Sequence, residues 1–340
     1  MSVTFTLVQP DARRALDPSD PLVAVERCMA DLVQEHGEGF VGEMAQEHLA
    51  TGGKRTRARL ALHACTALGV SQEDAVPWAA ACELLHNASL VHDDLQDGDA
   101  MRRGRPALWA RHGAGQAINA GDLLLMLPTL AIGRVSGGDA VRWRLSSCVA
   151  RHGARTARGQ AQEMLLKEIP DVSFAVYRTA AFGKTAGLFG MPVEGAALLS
   201  GHTEDESRRL AAPFEVLGLA YQMLDDVVDL YGDKGRGESG GDVREGKISA
   251  LVASHLERVP ADRVWLMRIL RTPRVETTRE MVDAVIERMR DSGALKDVLD
   301  RIDVLASELE GPMLLGQPTL QSVGHTLRDK LLAPREVLRG

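Results

Sequence analysis

The chain has 340 residues, 45% of them apolar and 26% charged, with a net charge of −7. That length can bury a substantial core in one domain or two, and the acidic balance excludes a general nucleic-acid binder, which needs surplus Lys and Arg to neutralise phosphates. Cys28, Cys65, Cys82 and Cys148 form no C-x-x-C pair, which argues against a disulfide frame or zinc site and for the reduced thiols of a cytoplasmic protein.

Residues 1–20 read as a ragged leader that lacks the basic start and apolar stretch of a signal peptide. From 21 to 340 the pattern is that of a single all-α domain. Leu22, Val25, Cys28, Met29, Leu32 and Val33 recur at helical spacing. A second helix covers about 39–50 and stops at Thr51-Gly52-Gly53, and a third opens after Lys54, through Arg57 and Arg59. Residues 73–97 make one long helix, with Pro77 tolerated in its first turn.

The Gly- and Arg-rich stretch 98–115 reads as a loop, and helices return at 116–133, 139–167, 172–190 and 204–231. A second polar, Gly-rich loop at 232–246 precedes helices at 247–256, 259–270, 275–290, 293–309 and 319–333. The longest apolar run, 123–132, is broken by Pro128 and too short to span a bilayer.

Two stretches carry the chemistry. In ELLHNASLVHDDLQD (83–97), Asp93 and Asp97 lie one helical turn apart, with Ser89 and Leu85 continuing their line backward and Ala88 beside it. In YQMLDDVVD (221–229), Asp225 and Asp229 repeat the spacing, with Gln222 one turn earlier. Two such helices facing each other would crowd their carboxylates round one cavity, where they cannot all stay ionised without cations. Oxygen-only ligands select a hard cation, and Mg²⁺ that also binds substrate phosphates is the usual outcome.

Alone, DDLQD is more often a solvated helix face than a site. A calcium loop fits Asp93, Asp97 and Gly98 but fails at Leu95 and at Gly104, where a bidentate Glu is required. The basic residues shift the balance. Lys54 and Arg57 follow a glycine pair, Arg102, Arg103 and Arg105 follow the acids, Lys184 and Thr185 lie in FGKTAG, and Lys247 in REGKIS. Cations in Gly-flanked turns beside two acidic helices suit two diphosphates, one bridged to carboxylates through Mg²⁺ and one gripped directly by Lys and Arg. By position alone His86 reads as a core histidine, His92 as structural, and Phe182, Phe189, Phe214, Met164 and Met223 as packing.

GGKRTR (52–57), LLHNASLVHDDLQD with RRGRP (84–106), GQAQEM (159–164), GKT (183–185), YQMLDDVVD (221–229) and GDVREGKIS (241–249) occur in this order. In that set and order the chain resembles the trans-polyprenyl diphosphate synthases over about residues 21–330. The resemblance implies a bundle of about a dozen helices around a deep central cavity, a homodimer, and small-molecule isoprenoid diphosphates as substrates. It also implies head-to-tail condensation of isopentenyl diphosphate with an allylic diphosphate by ionisation, condensation and elimination.

Carried over by position, Asp93, Asp97, Asp225 and Asp229 would hold about three Mg²⁺ ions. Gly53, Lys54, Arg57, His86 and Arg103 would bind isopentenyl diphosphate, which makes His86 a ligand. Arg102, Lys184, Thr185, Gln222 and Lys247 would contact the allylic diphosphate or its ionising carbon; Asp93, Asp97, Asp225, Lys184 and Lys247 form the catalytic set. One lysine of the family pattern is missing: Gly237 and Glu238 stand where it belongs, and Lys234 or Arg236 substitutes if the loop carries an insertion.

Bulky residues four and five positions before the first aspartate stop the growing tail early in this family. Here they are Ser89 and Ala88, about 6–7 Å below the metal site at helical rise. The expected product is therefore longer than farnesyl, geranylgeranyl (C20) first and then C25–C30, with Leu85 or side chains of 123–127 as a deeper floor. A class I terpene cyclase would carry an Asn/Asp–Ser/Thr–Glu set where Asp225, Asp229 and Asp233 stand. A non-catalytic partner subunit would lose acidic-motif residues that are present here.

Overall fold

The computed structural model describes residues 20–169, 172–232 and 240–339. The expected leader, apart from Asp20, and the loop positions Asp233, Lys234, Arg236, Gly237 and Glu238 lie outside the described residues. The chain is built from α-helices, as its periodicity predicts. In order they are α1 (Pro21–His36), α2 (Phe40–Leu49), α3 (Thr56–Ala67), α4 (Gln72–Asp97), α5 (Leu108–His112), α6 (Ala114–Gly133) and α7 (Asp139–Leu165). There follow α8 (Phe174–Ala181), α9 (Gly187–Leu199), α10 (Glu204–Tyr231), α11 (Gly241–Glu245), α12 (Ala250–Arg258) and α13 (Arg263–Leu270). The last are α14 (Arg279–Asp291), α15 (Ala294–Ala306), α16 (Pro318–Leu332) and α17 (Pro334–Arg339).

The helix starts obey capping rules visible in the sequence. Asp20 caps α1 ahead of Pro21 and accepts from the Leu22 N–H at 2.9 Å. Ser71 caps α4, and Thr203 with Glu206 forms a capping box on α10. The two site-bearing helices are long: α4 has 26 residues and α10 has 28, each about 40 Å. Helix α4 packs among α1, α3, α6 and α9, and α10 among α9, α12 and α15. Helix α9 packs against both.

A contiguous apolar core runs from Leu22 to Leu332, with Trp78, Phe189 and Phe214 among its largest fully buried side chains. Trp78 Nε1 donates to the Pro192 carbonyl at 2.9 Å, and its ring lies so close to Gly195 that a Cβ there would sit 1.9 Å from the indole. Phe189, Phe214 and Met223 are core, as expected. Met164 is not: it is 48% exposed, because it follows the outward side of α7 with Leu165. All four cysteines are free and buried.

Three expected boundaries change. The loop at 98–115 contains an antiparallel ladder, Met101 opposite Pro106 and Arg102 opposite Arg105, followed by α5. Its two-residue turn holds Arg103 at φ 52° and Gly104 at φ 76°, the backbone of a tight hairpin turn. The single helix expected over 172–190 is α8 and α9 joined through a π-helical turn, Phe182–Ala186. The loop expected over 232–246 contains α11, and residues 247–249 are extended rather than helical, with Ser249 capping α12. Helix α6 has 20 residues at a mean hydropathy of 1.2, long and apolar enough to cross a membrane, and 44% of it is buried inside the bundle.

Candidate active site

The first acidic motif occupies the last turn and a half of α4. Gly98 ends the helix at φ 71°, a left-handed conformation that glycine adopts without strain, and the hairpin folds back over the helix end. Arg102 returns to Asp94: its Nε donates to Asp94 Oδ1 at 2.8 Å and its terminal nitrogen contacts the same oxygen. Arg102, expected at an allylic diphosphate, is thus held beside the acids by Asp94, a buried carboxylate the sequence reading passed over.

Arg103, turned the other way by its positive φ, donates to Thr51 Oγ1 at 3.3 Å and contacts the Gly52 carbonyl. Gly53 has φ 120°, and a Cβ there would stand 2.5 Å from the Arg103 guanidinium carbon; the glycine pair makes room for that side chain. Arg55, at φ 49°, braces the same turn by donating to Glu26 at 3.1 Å and to the Leu49 carbonyl at 2.8 Å. Lys54 is exposed at its edge.

Behind this turn Arg57 lies 4.6 Å over the Phe189 ring, and its Nε is closed to solvent without a hydrogen-bond partner. His86 Nδ1 and His48 Nε2 are in the same condition. Burial, then the charges of Arg57, Arg103 and Arg102, hold His86 well below the usual histidine range. Burial and the same Arg103 and Arg102 take His48 down to about 3. Buried polar atoms without partners are costly and rare, and here they cluster among arginines. An anion with several acceptor oxygens matches them.

The second acidic motif lies on α10, and lysines join it to the first. Lys247 Nζ is 2.9 Å from Asp97 Oδ2, 2.6 Å from Glu245 Oε2 and 4.0 Å from Asp242 Oδ1. The Asp242 N–H donates to Asp229 Oδ2 at 2.9 Å. This path, Asp97 to Lys247 to Asp242 to Asp229, connects α4 with α10. Lys184 Nζ, on the π turn, is 2.5 Å from Glu163 Oε2 on α7.

Burial pushes the Asp93 carboxyl up to about 6; Asp97 and Glu163 add to the rise, while Lys184 and Lys247 oppose it. Burial works against both ammonium groups, yet the surrounding carboxylates outweigh it and raise Lys184 and, further, Lys247. Glu163 was present in GQAQEM, four residues after Gly159, but nothing in local spacing marks it as a partner of Lys184.

A hydrogen-bond chain sets Gln222. Thr185 Oγ1 donates to Gln222 Oε1 at 2.8 Å, and Gln222 Nε2 donates to Asp226 Oδ1 at 3.0 Å. Asp226 Oδ2 accepts from Tyr177 O–H at 2.6 Å and from the Ala250 N–H at 2.8 Å. Burial raises Asp226 to about 6 against these hydrogen bonds. Tyr177 and Asp226 are the further residues that sequence reasoning missed.

Asp93, Asp97, Asp225 and Asp229 offer only oxygens, and Lys184 and Lys247 partly compensate the charge of the first two; that donor set fits a hard divalent cation. Cys148, His152 and Glu194, elsewhere on α7 and α9, also lie within metal-holding distance of one another. Glu194, however, is bonded to His152 at 2.7 Å and Arg151 at 2.6 Å, an ion-pair brace that already satisfies it. Below the first motif Leu85 and Ala88 are buried, and partly exposed Ser89 donates to the His86 carbonyl at 2.8 Å. His92, expected to be structural, lies 3.4 Å from Asp122 and fills the space over Gly121.

The sequence model of one family, Polyprenyl synthetase, matches residues 39–289. A short chain isoprenyl diphosphate synthase of Methanothermobacter thermautotrophicus is 37% identical over 237 residues, 66% of this chain and 70% of that protein. A geranylgeranyl diphosphate synthase of Mycobacterium tuberculosis is 37% identical over 193 residues, 54% of this chain and 53% of that protein. Among solved structures, a polyprenyl synthetase from Streptomyces coelicolor A3(2) superposes with a TM-score of 0.82 at 25% identity, covering 92% of this chain and 97% of that one. With a matched family model over most of its length and the two acidic helices joined as described, the chain belongs to the polyprenyl synthetase family of trans-prenyltransferases.

Proposed function

We propose that the chain condenses isopentenyl diphosphate head to tail with an allylic diphosphate in a Mg²⁺-dependent reaction, giving geranylgeranyl diphosphate or a somewhat longer product. The observation that carries this reading is the pairing of two unlike sites. Partner-lacking atoms of Arg57 and His86 sit beside Arg103, and a separate ring of carboxylates is bridged by Lys247. A cyclase would have no use for the first.

Arg57, Arg103, Lys54 and His86 would seat the diphosphate of isopentenyl diphosphate, supplying charge-assisted donors to an otherwise desolvated anion. Asp93, Asp97, Asp225 and Asp229 would hold Mg²⁺, which when bound neutralises charge on the leaving diphosphate. Lys184 and Lys247 are within reach of that same region and would trade a carboxylate partner for diphosphate oxygens, stabilising charge where it develops. Thr185 and Gln222, locked by Asp226 and Tyr177, present fixed dipoles to the ionising carbon. The isopentenyl double bond attacks that carbon, and the departing diphosphate takes the proton lost at the end. No side-chain nucleophile is needed.

Ala88 and Ser89 are small, which supports a tail longer than farnesyl, with Leu85 as a lower stop. The outward apolar stripe of α6, with Ile118, Leu125, Met126 and Leu130 exposed, and Trp143 and Leu165 on α7, supports a homodimer through these helices. A cytoplasmic location accords with the four free thiols.

The test is incubation with Mg²⁺, isopentenyl diphosphate and each allylic primer in turn, followed by sizing of the products. Linear polyprenyl diphosphates of C20 or more support the proposal. A cyclic hydrocarbon, or no product with any primer, rejects it.

A further inference from the structure

Residues 263–275 read RVWLMRILRTPRV, four arginines and no acid, in a chain whose net charge is −7. Helix α13 buries Leu266, Ile269 and Leu270 and leaves the opposite side to solvent. Val264 is 83% exposed there, and Val275, just past the following turn, is 95% exposed. Highly exposed valines, each following an arginine, are not what a face in contact with water alone requires.

A cavity of about 440 Å³ runs along this side, lined by Lys167, Ile169, Arg263, Met267 and Arg271 among others. A second cavity, of about 530 Å³, shares Lys167 and Arg271 with it and reaches Asp97 and Glu245. The cationic, apolar face therefore adjoins the mouth of the acidic site. Compensation is uneven: Arg274 is paired with Asp99 at 3.1 Å and Glu245 at 3.5 Å, whereas among the described residues Arg271 lies 3.9 Å from Glu168 and Arg263 donates to the Ile169 carbonyl at 3.4 Å.

We propose that this face docks on an anionic lipid bilayer, setting the mouth of the site against the membrane. Exposed aliphatic side chains beside arginines are the means by which an amphipathic segment inserts at a headgroup boundary. A nucleic acid fits less well. Val264 and Val275 offer no plane for a base to stack on, and the Trp265 ring is covered by the Arg288 guanidinium at 5.3 Å. A second copy of the chain fits less well too, since a two-fold contact would set arginine against arginine. The docking rests on the proposed function in one respect: an amphiphilic polyprenyl product is released most readily where its tail can pass into lipid.

The full chain would be sedimented without substrate with phosphatidylcholine vesicles, with and without phosphatidylglycerol. Partition into the anionic vesicles alone, weakening with added salt, is the expected result. Arg263→Glu with Arg268→Glu should reduce that partition at least about 30-fold, the loss of two arginines at about 1 kcal/mol each near an anionic surface, with the new carboxylates adding repulsion. Val264→Asp with Val275→Asp should also reduce it. Both pairs should keep the vesicle-free condensation rate and the circular dichroism of the parent chain.

Equal partition into neutral vesicles, indifference to the arginine reversals, self-association that depends on Val264, or preferential retention of a nucleic acid would overturn the docking. Condensation is assayed without vesicles, so failure of the synthase reading is seen separately.

Discussion

Replacing Gly159 with alanine tests whether close backbone contact between α7 and the π turn positions Lys184, the lysine proposed to stabilise the leaving diphosphate. A Cβ at Gly159 would stand 2.0 Å from the Lys184 backbone N and 2.3 Å from the Gly183 carbonyl carbon. Ordinary contact begins at 3.4 Å, so the turn must retreat by about 1.4 Å (3.4 − 2.0), since backbone cannot swing aside as a side chain can. Overpacking of this kind costs roughly 1–3 kcal/mol. The retreat would also pull Lys184 from Glu163, now 2.5 Å apart, and a misplacement of about 1 Å can cost about 100-fold in rate. Steady-state condensation and urea unfolding, read side by side, should show turnover down about 100-fold and stability down by roughly 1–3 kcal/mol. Gly183→Ala is the internal control: its Cβ would meet the Gly159 Cα at 3.0 Å, a milder overlap with a milder effect. Parental turnover in Gly159→Ala, or a worse outcome for Gly183→Ala, would refute the reasoning.

Asp93→Ala or Asp225→Ala should lower condensation by orders of magnitude with an unchanged circular dichroism spectrum; near-parental condensation in either rejects the metal-ligand assignment. Ala88→Phe or Ser89→Phe should shorten the product on thin-layer or mass analysis, and an unaltered product length would refute their role in setting chain length. His48 gives a pH prediction with a definite sign. Its folded-state pKa of about 3 lies below the ordinary 6.5, so the unfolded chain takes up the proton first, and stability falls as pH drops from about 6.5 towards 3. The slope contributed approaches about 1.4 kcal/mol per pH unit. His48→Gln should flatten that limb in urea midpoints taken from neutral to mildly acid pH, leaving the part due to His86; an identical slope in both proteins would contradict a buried, neutral His48.

Most of the fold was legible because each long helix states its own boundaries. Ser71, Thr203 and Asp20 are caps that can be named from sequence, and the apolar spacing behind them is unbroken. The π turn at Phe182–Ala186 was not legible, because inserting one residue into a turn leaves helical periodicity nearly intact. It packs against Gly159, a distant glycine that admits the backbone of Gly183 and Lys184. The hairpin after α4 was missed for a different reason. Tight two-residue turns are signalled by Asn-Gly or Asp-Gly, and here Arg103 takes the left-handed position that those rules reserve for smaller residues.

The site divides along the same line. Asp93, Asp97, Asp225 and Asp229 announce themselves through spacing within one helix, since four residues always return to the same face. Their compensating charges do not. Lys247 reaches Asp97 across 150 residues of chain, and Lys184 reaches Glu163 across 21. Asp94 and Asp226 illustrate the point most sharply: each stands beside a proposed metal ligand in sequence, Asp93 or Asp225, yet points to another side of its helix. There Asp94 holds Arg102 and Asp226 holds Gln222 and Tyr177. In each DD pair one carboxylate is the proposed cation ligand while the other fixes a neighbouring side chain. The doubled aspartate is thus two different instructions, and only the helix geometry separates them.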